Sequence, residues 1–324
     1  MSVDILTSFI NSAPVDLASA WAYDSVVAMS AMASPQQLMR DQEPLLRADQ
    51  NRLWLRWFLD GMVSPHLAAS DPLFDTLAIY ETSLKKVNEL YATVEKSRRE
   101  ALASAITAHV DDVVKKLRAT HKRDYASPAT RKLLIASTLT PRCYICGFEF
   151  SQPAVDAFLK VKGSAAITVP ALLDVFRPRG LVMRDLGIEI DHIVPVASGG
   201  SGQNNLRIAC GWCNKYKSDK VSLYEAPFLA ARTENAFLIG PHKLFELPNP
   251  FWTIRILALR GFCQHFDGCA HSAKDAEMFV TPVDWKGSPN PTNLTVRCEH
   301  HLPFKNERRQ ASKDIEKLWG GRKK

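Results

Sequence analysis

The sequence predicts an α+β chain: a helical N-terminal region followed by two small strand-containing modules, the second a degenerate copy of the first. Three observations predict it. Residues 1–146 contain a single glycine, Gly61, and a stretch so poor in the residue that weakens helices reads as all-α. Two Cys-x-x-Cys pairs follow, Cys143/Cys146 and Cys210/Cys213, and paired thiols at this spacing are the clips of a closed tetrahedral zinc site. Nearer the C-terminus a proline, a glycine, an Asn-Leu pair and a Cys-x-x-ligand recur in the same order, as in an internal repeat. The boundaries read from these signals are 1–138, 139–225 and 226–324.

The length of 324 residues allows two domains or one large one, and a hydrophobic fraction of 46% is enough for a packed core and too high for a disordered chain. A formal net charge of +7 and a pI near 9.0 suit a polyanionic partner. The excess is concentrated in residues 303–324, where Lys305, Arg308, Arg309, Lys313, Lys317, Arg322, Lys323 and Lys324 face three acids. That run reads either as a solvated, frayed terminus or as a phosphate-contacting tail. Seven cysteines, four of them in tight pairs, argue for metal in a reducing compartment and against a secreted disulfide scaffold. Asp4, Asp16 and Asp24 interrupt the first apolar residues and Arg40 is the first basic one, so the reading has no signal peptide, no membrane span and a cytoplasmic location.

In the helical region, a capping residue followed by proline marks helix starts at Ser34-Pro35, Asp71-Pro72 and Ser127-Pro128. Leu46, Leu53, Trp54, Trp57 and Phe58 make residues 45–62 an amphipathic helix with the tryptophans expected in a core. Between Pro72 and Pro128 there is neither glycine nor proline. Val87, Leu90, Tyr91, Val94, Ala101, Leu102, Ala105, Ile106, His109, Val110, Val113 and Leu117 recur there at helical spacing, predicting one long helix or two broken near residues 96–100. His66, His109 and His121 are isolated and nothing here carries chemistry. The region reads as a positioning, sensing or oligomerisation arm, through which the chain would meet a protein partner or a second copy.

Beyond Cys146, helical patterns begin near Pro153 and Pro170, a strand is expected over 188–193, a turn at Gly199-Gly200-Ser201-Gly202, a short return through Leu206, Arg207 and Ile208, and a helix from Asn214. Between the cysteine pairs lie the dipeptide Asp191-His192 and the amide Asn205, and Asn214 follows the last cysteine directly. An acid, an imidazole and amide oxygens pinned by a zinc clip are parts of a hydrolytic metal site. The ordered set CYIC, DHIVP, a Gly-Gly turn, NNL and CGWCNKYKSD, over residues 141–220, resembles the HNH endonuclease family, the ββα-metal nucleases.

The resemblance implies strand, strand and helix around a metal, and phosphodiester hydrolysis in DNA. It implies His192 as general base, since a neutral imidazole suits water activation. Asp191 and Asn214 would be ligands of one divalent cation, Mg²⁺ or Mn²⁺, and Asn205 would brace the loop and orient the base. Asn214 stands where family motifs often have His, a variant also seen in the HNH domains of CRISPR effector nucleases, and it favours hard ions over Zn²⁺ there. Lys215, Lys217 and Lys220 are placed to meet phosphate. Family members of this size act in restriction, phage defence, mobile elements and recombination, so a defence nuclease is the expected setting. The rival is a zinc-dependent nucleic-acid-binding adaptor with a decayed site. No Gly-x4-Gly-Lys-Ser/Thr loop occurs, so no ATP dependence is expected within this chain.

The repeat aligns Pro195–Gly200 with Pro282–Gly287, and Asn205–Cys213 with Asn293–His301. It predicts a second structural zinc on Cys263, Cys269, Cys298 and His301, with His265, His271 and His300 as rival ligands. Counting back from the shared proline puts Phe279 at the base position, and Leu302 matches Asn214, so this copy reads as nuclease-dead.

Overall fold

The computed structural model describes residues 3–13, 22–35, 38–119, 126–195, 202–227 and 230–320. Among the described residues the α-helices and strand before the first long hairpin are α1 (Val3–Ser12), α2 (Tyr23–Ser30), α3 (Glu43–Met62), α4 (Pro65–Ser70), α5 (Thr76–Leu90), α6 (Lys96–Ala119), α7 (Pro128–Ala136), α8 (Gln152–Leu159) and the short strand β1 (Leu172–Asp174). Then come β2 (Ile188–His192), β3 (Leu206–Cys210), α9 (Gly211–Lys217), β4 (Ala231–Ile239), β5 (His242–Leu247) and α10 (Pro250–Arg260). The chain ends in β6 (Met278–Pro282), β7 (Leu294–Cys298), β8 (Arg309–Ala311) and α11 (Ser312–Gly320). The fold is mixed α and β with two cysteine clusters.

The N-terminal region is helical, as the missing glycines require. Its own core gathers Met62, Val63, Ala68, Ile79, Val87, Ala103, Ile106, Val110 and Val114 from α3 to α6. Arg118 closes it by donating to the carbonyls of Ala68, Asp71 and Phe74 across the α4–α5 connection. The break between α5 and α6 falls at residues 91–95, just before the expected window. Of the proline-marked starts, Ser127-Pro128 opens α7, with Ser127 Oγ accepting from Thr130 N. Asp71-Pro72 does not open a helix: Asp71 accepts from Leu73 N in a turn, and Asp75 caps α5 through Ala78 N. Ser34-Pro35 carries no assigned helix and the two residues after it lie outside the described residues, while Pro44 stands in the first turn of α3.

The tryptophan expectation fails. Trp54 and Trp57 are 56% and 62% exposed, because α3 buries Leu45, Leu46, Asp49 and Met62 instead. The helix leans its N-terminal half on the cysteine-bearing body, and Leu45 and Leu46 join that body's core.

Among the described residues there are four sheets, all two-stranded and antiparallel: β1–β8, β2–β3, β4–β5 and β6–β7. No helix forms at Pro170; β1 pairs there with β8. This pairing also corrects the frayed-tail reading for residues 303–320. Arg308 is 1% exposed and forks onto Asp174 over the Phe176 ring, while Ile315 and Trp319 of α11 pack against Leu173 and Val175. The tail's last four residues, and the Gly199-Gly200-Ser201 part of the expected turn, lie outside the described residues.

The two hairpins are structural copies. Ile188 pairs with Cys210 and His192 with Leu206; Met278 pairs with Cys298 and Pro282 with Leu294. Beyond each strand an asparagine clamps the exit. Asn205 accepts from Val194 N and donates to Val194 O, and Asn293 does the same with Asp284. The register corrects the alignment made through the prolines. Pro282, not Phe279, occupies the position of His192, because Pro195 lies beyond its strand and Pro282 ends its own. Thr281 then matches Asp191.

The two modules share one core instead of holding one each. Cys143, Cys146, Cys210, Cys213, Cys263 and Cys298 belong to the same buried cluster, together with Trp212, Trp252 and Leu257. Met278 N donates to Cys146 O across the junction. Gly147 has φ +69°, and a Cβ there would lie 2.0 Å from the Ala276 carbonyl oxygen. The close approach of the modules therefore depends on a glycine at that turn.

Candidate functional site

Cys143, Cys146, Cys210 and Cys213 converge with all four sulfurs within 4.8 Å of one another, and each is fully buried. None forms a disulfide. Cys146 and Cys210 are 4.0 Å apart, close to the roughly 3.8 Å edge of a tetrahedron with Zn–S near 2.3 Å. The first pair sits on a turn in which Cys143 N donates to Phe148 O. The second pair straddles the β3–α9 junction, so α9 begins at Gly211, inside the knuckle and earlier than expected.

Burial pushes the Cys210 and Cys213 thiols up, and their hydrogen bonds with Cys143 and Cys146 push them further. Burial also works against ionisation of Cys146, but hydrogen bonds with the other three thiols and the charge of Arg177 hold it well below the ordinary thiol range. Arg179 donates to Cys146 Sγ at 3.5 Å. Arg177 and Arg179, both tied to Glu277, bring two buried guanidiniums beside what would be a doubly negative zinc tetrathiolate. The donor set and its charge surroundings fit Zn²⁺.

The second cluster is Cys263, Cys269, Cys298 and His301. Cys269 and Cys298 sulfurs are 3.9 Å apart, and His301 Nδ1 lies 3.4 Å from Cys298 Sγ and 3.7 Å from Cys263 Sγ. These are the edges of a Cys₃His tetrahedron. His301 Nε2 faces Asp267 at 3.1 Å, the carboxylate partner that fixes a ligating imidazole's tautomer. Of the rivals, His271 pairs with Asp275 and lies beside the His300 ring, while His265 stacks on His301 and pairs with Asp267, so that His265, Asp267 and His301 form a further group that could hold an ion. Two four-residue clusters can thus hold zinc.

The strand–strand–helix unit beside the first cluster carries Asp191, His192, Asn205 and Asn214. Successive strand residues face opposite sides, so Glu189 and Asp191 share the side that meets α9. Asn214 Nδ2 donates to Glu189 Oε2 at 2.6 Å. Lys217, one turn on, donates to Asp191 Oδ2 at 2.7 Å and to the His192 carbonyl at 2.5 Å. Tyr144, inside the first knuckle, donates its hydroxyl to the same Oδ2 at 2.5 Å. His192 is half-buried at the end of β2. The structure therefore gathers Asp191 and Asn214 on one side of the unit but does not join them directly, and Asn205 clamps the strand exit.

Lys217 does not have the place expected of a phosphate contact. It is buried, with its ammonium committed to Asp191 and His192. Lys215 is exposed and Lys220 half-buried, both close to aromatic rings. Sequence reasoning missed Tyr144, Glu189, Arg177, Arg179 and Glu277. Glu189 had a signal, two residues before Asp191 in a strand; the arginines come from the long spacer and had none.

No family model, no curated protein and no solved structure matches this chain. Among the described residues no helix is long and apolar enough to cross a membrane.

Proposed function

We propose that the chain is a zinc-stabilised, divalent-metal-dependent endonuclease of the HNH type that hydrolyses phosphodiester bonds in DNA. The observation that carries the reading is the single strand–strand–helix unit, clipped by four buried thiols, that bears Asp191, His192, Asn205 and Asn214. His192 takes the proton of the attacking water at the end of β2. Asp191 and Asn214 would hold a Mg²⁺ or Mn²⁺ ion, which when bound would supply charge neutralisation at the scissile phosphate. Asn205 keeps the strand exit fixed through its two bonds to Val194. Zinc at the cysteine clusters is structural. The net charge of +7 supports a polyanionic substrate.

The test is supercoiled-plasmid cleavage by zinc-loaded protein with and without Mg²⁺ or Mn²⁺. Metal-dependent nicking or linearisation supports the reading. A protein that binds DNA and never cuts it under any metal would instead be the zinc-dependent adaptor.

A further inference from the structure

We infer that Tyr144 and Lys217 are positioning residues that aim the Asp191 carboxylate; the inference rests on the nuclease reading above. Both donors land on one oxygen. Tyr144 Oη and Lys217 Nζ bond Oδ2 at 2.5 and 2.7 Å. Oδ1 accepts no bond among the described residues, and it is not one of the sealed side-chain atoms without a partner. One oxygen is thus pinned, and the other, on a side chain only 5% exposed, is neither bonded nor fully sealed.

The two donors come from different elements. Tyr144 lies between Cys143 and Cys146, and its backbone N donates to Ile208 O of β3, so its phenol is carried by the zinc-clipped turn. Lys217 comes from α9 and also pins the His192 carbonyl. Acid and base positions are therefore held by the zinc knuckle on one side and by the helix on the other.

The second module is an internal control. Its hairpin has the same register, and Gln264 N donates to Val296 O as Tyr144 N does to Ile208 O. Yet Thr281 replaces Asp191, and Gln264 turns its side chain back to Val296 N. Among the described residues no helix starts directly after Cys298, as α9 does after Cys210, to supply a lysine. Hairpin, asparagine clamp and metal cluster all form there without a phenol, carboxylate or ammonium. A buried ion pair is seldom worth more to stability than apolar packing. A hairpin, clamp and cluster of this kind thus form without the triad, which points to positioning Asp191 as its role in the first module.

The test is Mn²⁺ binding by electron paramagnetic resonance, alongside Mn²⁺-dependent plasmid cleavage, on full-length zinc-loaded protein. Tyr144→Phe is the main variant because it removes one oxygen and keeps the packing; Asp191→Asn marks the site. Tyr144→Phe is expected to keep its zinc and to bind Mn²⁺ about 10- to 100-fold more weakly. Cleavage should need correspondingly more Mn²⁺, with the rate recovering at saturation. Lys217→Met, read only if it keeps its zinc, should also weaken Mn²⁺ binding. Unchanged Mn²⁺ affinity in Tyr144→Phe overturns the inference, as does wild-type Mn²⁺ binding that ignores Asp191→Asn. Mn²⁺ binding that responds to both variants in a protein that never cuts DNA would sink the nuclease reading and leave the positioning role standing.

Discussion

One buried carboxylate, beside the apolar contacts of Leu45 and Leu46, ties the helical arm to the cysteine-bearing body, and removing it should cost as much as a large core truncation. Asp49 of α3 is fully buried. It accepts a fork from Arg255 of α10, Nη2 to Oδ1 at 2.5 Å and Nε to Oδ2 at 3.0 Å. It also accepts from Leu223 N at 2.8 Å, and its carbonyl accepts from Ser222 Oγ. Asp49→Ala leaves Arg255, whose side chain is 18% exposed, without its counter-charge, and strands the Leu223 amide. Breaking a buried pair by deleting one partner costs about 3–5 kcal/mol. Arg52, also bonded to Asp49, is half-exposed and adds little. The assay is equilibrium urea unfolding with zinc in excess, for Asp49→Ala, Arg255→Ala and the double variant. The singles should each lose several kcal/mol, and the double should lose far less than their sum. A loss under about 1 kcal/mol for Asp49→Ala, or simple additivity, would refute the account, since surface pairs are worth that little.

Zinc analysis should give two ions per chain, with Cys298→Ser retaining the first and losing the second; one ion unchanged by Cys298→Ser would remove the second site. Asp267→Asn should weaken zinc at the second cluster by about 10- to 100-fold and leave the first untouched, read by competition with a chromogenic chelator. Gly147→Ala should destabilise by about 2 kcal/mol or more, because the added methyl strikes the Ala276 carbonyl from a positive-φ residue; thermal unfolding measures it. Trp54→Ala with Trp57→Ala should change stability by less than about 1 kcal/mol in the same measurement, since both rings face solvent.

What the sequence made legible follows from how local each signal is. Glycine scarcity and helical spacing are local, and they placed α3, α5, α6 and α7 to within a few residues while α1, α2 and α4 went unread. The cysteine pairs brought together the four ligands that the structure also brings together, because chelation ties distant segments by chemistry that spacing alone reveals. The repeat was legible too, but its register was not. Pro195 and Pro282 look equivalent in sequence and sit at different points along their strands, a difference only pairing can show. Trp54 and Trp57 misled because helical periodicity says which residues share a face and not what covers it. The fates of Arg308 and Lys217 were hidden for a related reason: each basic residue reads as surface until a carboxylate far away in sequence, Asp174 or Asp191, comes to meet it.

The most direct test of the central claim is plasmid cleavage by wild type beside His192→Ala, both carrying their full zinc complement, in Mg²⁺ and in Mn²⁺. The account expects cutting by the wild type and its loss in a variant whose zinc content and unfolding midpoint are unchanged. Equal cutting by the two proteins would remove His192 as the base and with it the chemistry assigned to this unit.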